Sequence, residues 1–188
     1  CVVMQSLFRD FSIHLSWASG VLDASNDDAI MSQAGERERE YDWLGAVESY
    51  EKALGLLSKT DFLKMGQVQE KVGYAFYRVA MQAESRDEFR EKMRQAVANY
   101  EKAVEFYGRL SEQSRLPWML RCNAVIAYMG YWLNSDVSEK KRLLDECWKL
   151  TKEALKAFKE AGESLEYGKT YNKLSASTSG KLYLEWDF

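Results

Sequence analysis

Residues 46–54 read AVESYEKAL, and residues 96–104 read AVANYEKAV. Six of the nine aligned positions are identical, and the copies lie 50 residues apart. A fainter copy, CWKLTKEAL, occupies 147–155, 51 residues after the second. In each copy a small residue leads (Ala46, Ala96, Cys147). Four residues later comes Tyr50, Tyr100 or Thr151, and three after that an alanine (Ala53, Ala103, Ala154). Steps of four and three keep these positions on one face of a helix. Small side chains there let a neighbouring helix come close, and the larger one fills the gap.

The segments between the copies also correspond: KVGYAFYRVA (71–80) falls 50 residues before RCNAVIAYMG (121–130). One period therefore holds two helices. A helical hairpin cannot bury its apolar face alone, but stacked hairpins can. The repeat units read as roughly 1–57, 61–110 and 117–161, with a partial unit over 164–188, all in a single domain. Segment 3–24 is the first helix candidate. Residues 28–57 form a helical pattern with an optional break near Tyr41-Asp42, and 61–84 is the next helix. Ser85 with Glu88 reads as a reciprocal capping box opening a helix to about Ser111. Pro117 reads as the first residue of a helix over 117–133, where its missing N–H costs nothing. Asp136 with Glu139 opens 137–161, Gly162 closes it, and a short helix follows over 164–176.

Composition agrees with an all-α chain of about seven helices. There is one proline in 188 residues, and 46% of residues are hydrophobic. No alternating β-branched run or Asn-Gly turn signals a hairpin of strands. Aromatics reach 13%, against disorder. The net charge of −3 offers no basic field for nucleic acid. No apolar run is long enough to span a membrane, and a cytoplasmic location is expected. The chain starts with Cys1, so we expect a piece of a longer protein.

The small-x3-Tyr-x2-Ala pattern resembles the second helix of a tetratricopeptide repeat. Trp43 resembles the aromatic such repeats place at the turn between helices, and Ala34 the small first-helix residue. Val72-Gly73 and Phe76 resemble first-helix positions of the next unit. The family period is about 34 residues; here it is 50 to 51. The resemblance implies an α-solenoid of stacked, extended antiparallel hairpins. It also implies that the first helices line a concave surface that binds peptides. On those helices lie Tyr74, Tyr77, Trp118, Tyr128, Tyr131 and Trp132, our candidate partner-binding residues. Some grooves of this family clamp a terminal carboxylate with Lys, Asn and Arg. Glu70, Tyr74 and Ala124 fall near those positions, so that clamp is not expected.

No residue pattern demands chemistry. A lone histidine, His14, excludes paired-histidine metal motifs. Asn26-Asp27-Asp28 is better explained by helix capping than by a cation. Cys122 and Cys147 sit on apolar stripes, as inert buried thiols do. The lysines of 137–161 alternate with Glu and Asp and read as a solvated face. The expectation is thus a non-enzymatic module that binds a peptide or helix of a partner protein, with no catalytic residue, metal or cofactor. The first alternative is a homo-oligomerisation module, prompted by the apolar first helix and the tail KLYLEWDF (181–188). The second is a helical domain that senses a small ligand.

Overall fold

The computed structural model of the protein describes residues 26–171. Among these residues there are seven helices and no strand: α1 (26–39), α2 (Trp43–Leu56), α3 (Phe62–Met81), α4 (Arg86–Tyr107), α5 (Glu112–Leu133), α6 (Val137–Glu160) and α7 (164–171). The expected helix over 3–24, His14 and the KLYLEWDF tail lie outside the described residues.

Four helices start in the same way. Asp42, Asp61, Ser85 and Asp136 each accept a hydrogen bond from the amide three residues on, at Gly45, Lys64, Glu88 and Glu139. That contact satisfies one of the donors a helix N-terminus leaves open. The box at Ser85 differs in one detail from the sequence expectation. The Glu88 carboxylate accepts from the Glu84 amide at 3.3 Å, not from Ser85. Gly162, at φ 75°, ends α6 in the left-handed region that glycine adopts without strain.

Three local features depart from the sequence reading or decide what it left open. Tyr41 takes φ 63°, which splits the 28–57 pattern into α1 and α2. Pro117 is not the first residue of its helix, because α5 begins at Glu112 and carries Pro117 inside. Its absent N–H leaves the carbonyl four residues back without its helical partner, and packing of the flanking turns holds the helix through it. Asp27 is not a cap. It lies buried and takes a 2.7 Å hydrogen bond from Lys64 Nζ, tying α1 to α3.

Connections of three to five residues fold each helix back on its predecessor. The principal contacts run between consecutive helices, α2 with α3, α3 with α4, α4 with α5 and α5 with α6. The motif positions form the seams. Ala46, Tyr50, Ala53, Ala96, Tyr100, Ala103, Cys147, Thr151 and Ala154 are all buried. One core cluster joins α1, α2 and α3 around Trp43, Tyr50 and Val72, and a larger one joins α3 to α6 around Tyr100, Tyr107, Trp118 and Phe158. Phe76 packs against both. The closest approach is α3 on α4. A Cβ at Gly73 would stand 2.7 Å from the Tyr100 ring, and one at Gly66 would clash with the Tyr107 ring.

Candidate functional site

The stripe Glu70, Lys71, Tyr74, Tyr77 on α3 and the stripe Trp118, Arg121, Val125, Tyr128 on α5 both follow helical spacing. Each therefore presents one face. The two faces line a cleft of about 680 Å³. Glu38 of α1, Tyr100 of α4, Cys147 and Thr151 of α6, and Glu166, Lys169 and Thr170 of α7 complete its walls.

Of the six sequence candidates, Tyr74, Tyr77, Trp118 and Tyr128 come together in this cleft. Tyr131 and Trp132 are not among its lining residues. One turn further along α5, they belong to an aromatic group with Phe89, whose ring stands 6.4 Å from Trp132, and with Lys140, which lies 5.2 Å from the Tyr131 ring. The six are candidates because they lie on the intervening helices, which in the resembled family line the concave surface. The Tyr131–Trp132 group is continuous with the cleft through Tyr128, whose ring stands 6.4 Å from Tyr131 and 6.3 Å from Trp132.

Beneath the tyrosines lies a charged cluster that sequence reasoning missed. Arg121, only 5% exposed, donates from Nε to Glu70 Oε2 at 3.1 Å and from Nη2 to Glu70 Oε1 at 2.6 Å, a bidentate pair. Tyr107 donates to the same Glu70 Oε1 at 2.7 Å. The third arm, Arg121 Nη1, donates to Glu166 Oε2 of α7. Lys169 Nζ holds the other Glu166 oxygen at 2.6 Å. The guanidinium also lies over the rings of Trp118 and Phe158, at 4.8 and 5.2 Å. Glu70 and Arg121 are 51 residues apart, the repeat period. Their charge and register were the available signal.

Burial pushes Arg121 down, but Glu70 and then Glu166 hold its proton, and the net shift is upward. Burial likewise raises Glu166, and hydrogen bonds from Lys169 and Arg121 outweigh it, so its carboxyl ends below the ordinary range. The tyrosines are raised, which for them disfavours the charged form. Burial, then the neighbouring Tyr128, raises Tyr77 to about 12. Burial, then the Glu38 charge, raises Tyr50, which accepts from Lys71 Nζ at 3.4 Å. Hydroxyls so shifted stay protonated near neutrality and keep their donors.

The lining thus holds three carboxylates (Glu38, Glu70, Glu166) against three cations (Lys71, Arg121, Lys169). A balanced floor under aromatic walls favours an amphipathic occupant over a multiply charged one. No group of three or more His, Cys, Asp or Glu among the described residues is placed to hold a metal ion, and no described helix is long and apolar enough to cross a membrane. The α6 cations are solvated, with Arg142 bonded to Glu139 and Glu146 on its own helix. Comparison with models of protein families, with curated proteins and with solved structures finds no match.

Proposed function

We propose that this chain is a tetratricopeptide-like α-solenoid that binds a peptide or helix of a partner protein in the α3–α5 cleft, without transforming it. The observation that carries the reading is the convergence of Tyr74, Tyr77, Trp118 and Tyr128 on one concave surface. Tyrosine and tryptophan are favoured interface anchors, because they offer large apolar area with a polar tip. Two facts support the repeat architecture: contacts run between consecutive helices, and the motif residues of all three copies are buried.

Selection of a displayed random-peptide library on the purified chain tests this reading. Enriched peptides should lose about fivefold or more in affinity with Tyr77→Ala or Tyr128→Ala, since a truncated anchor costs upwards of about 1 kcal/mol. Failure to enrich, or binding indifferent to both tyrosines, sinks the proposal. The cleft volume also falls in the range of small-molecule pockets, about 300–1,000 Å³, which supports a ligand-sensing role as the second reading. A thermal-shift screen of metabolites distinguishes it by stabilisation that Tyr77→Ala removes.

A further inference from the structure

Helix α7 buries the wrong residues for a helix docked by the hydrophobic effect. Its buried residues are Glu166 and Thr170, one turn apart on a single face. Its apolar residues face outward, with Leu165 70% and Tyr171 57% exposed. A surface helix ordinarily does the reverse. The two buried residues both line the cleft. Glu166 reaches Arg121. Thr170 Oγ1, on a residue 1% exposed, has no hydrogen-bond partner among the described residues. A buried hydroxyl without a partner stabilises nothing and incurs a desolvation cost.

From this we infer that α7 is a built-in competitor seated in the cleft, and that the partner displaces it by presenting its own carboxylate to Arg121 Nη1 in place of Glu166. The inference rests on the partner-binding reading of the cleft and adds the chemistry of the partner: an acidic group carried on an apolar or aromatic segment. The ion pair explains how α7 stays docked without apolar burial. The orphaned hydroxyl marks the fit as incomplete. Withdrawal of α7 would leave Arg121 buried with its Glu70 contacts intact and Nη1 open toward the cleft. A buried guanidinium donor without an acceptor is costly, so a carboxylate at that point gains more than it would on an exposed arginine. Tyr74 and Tyr128 line the same cleft and would receive the apolar part of the occupant.

The test uses the full chain and two small probes of one shape, 3-phenylpropionate and its uncharged amide, with binding read by protein NMR shifts. The variants are Glu166→Ala and Glu166→Gln, each checked for folding by far-UV circular dichroism. If α7 is seated in about nine molecules of ten, the acid should bind the variants about tenfold more tightly than it binds wild type. The amide should bind each variant more weakly than the acid does, because it brings no carboxylate to Arg121. Hydrogen exchange over 164–171 should rise in both variants, while exchange over α3 and α5 stays unchanged.

Equal affinity of the acid for wild type and variants overturns the inference, and so does equal affinity of acid and amide for Glu166→Ala. The peptide selection, run in parallel on wild type and Glu166→Ala, separates the two levels. Tyr77-dependent peptides without acid-over-amide discrimination mean that α7 is no competitor and the cleft still binds partners. No cleft-dependent peptide from either protein removes both.

Discussion

Replacing Arg121 by Met probes the centre of the site. Methionine keeps much of the side-chain length and its contact with Trp118 and Phe158, but removes every guanidinium hydrogen bond. The pair with Glu70 is short and bidentate, at 2.6 and 3.1 Å, and the side chains are 7% and 6% exposed. Water can therefore do little for the carboxylate left behind. Removing one member of such a buried pair costs about 3–5 kcal/mol, because the remaining charge is uncompensated. At about 2–4 °C per kcal/mol for a chain of this size, Arg121→Met should lower Tm by roughly 6–20 °C. Urea unfolding followed at 222 nm gives the same quantity as a midpoint shift. The decisive comparison adds Glu70→Met. With both charges gone, the double variant should be more stable than Arg121→Met alone, since an apolar pair replaces an uncompensated ion. Additive losses, or an Arg121→Met penalty under about 1 kcal/mol, would refute the view that the cluster is electrostatically coupled in a dry site.

Two further outcomes follow from the geometry. Gly73→Ala should destabilise by about 1–3 kcal/mol, because its methyl would meet the Tyr100 ring at 2.7 Å and the Ala96 carbonyl at 3.2 Å. Gly55→Ala, in α2 with nothing within 4 Å, should stabilise by about 0.5–1 kcal/mol through helix propensity; the same urea titration reads both, and shifts of equal sign would contradict the packing argument. Acid should release α7. The Glu166 carboxyl is held below its ordinary value, so its contribution is complete above the unfolded-state value and is lost as pH falls through the folded one. Protection factors over 164–171, corrected for intrinsic exchange, should drop as pH falls below about 4.5, near the ordinary Glu value, and should be independent of pH there in Glu166→Gln; a flat wild-type profile would contradict this.

The α6 lysines, the caps at Ser85 and Asp136 and the motif faces were legible in the linear sequence, and for one reason: they depend on neighbours within about one helical turn. Ser85 and Asp136 meet amides three residues away. Ala96, Tyr100 and Ala103 share a face whatever the helix packs against. The family resemblance put Tyr74, Tyr77, Trp118 and Tyr128 on the intervening helices, where the tyrosines are half-buried and Trp118 is buried. It could not show that Tyr131 and Trp132, at equally good spacing, do not line the cleft. Their partners instead include Phe89 and Lys140 on other helices.

Sequence by itself determined that the chain is helical, two of the helix caps (Ser85 and Asp136) and the residues of the seams, because those are properties of short-range geometry and of a repeated pattern. Tertiary structure decided the break at Tyr41, the carriage of Pro117 inside α5 and the pairing of Asp27 with Lys64. Above all it decided that Glu70, Arg121 and Glu166 meet. Those three lie 45 and 51 residues apart, and no local preference draws them together. They become neighbours only when α3, α5 and α7 are packed side by side, and burial then makes pairing far more favourable than leaving any of them alone.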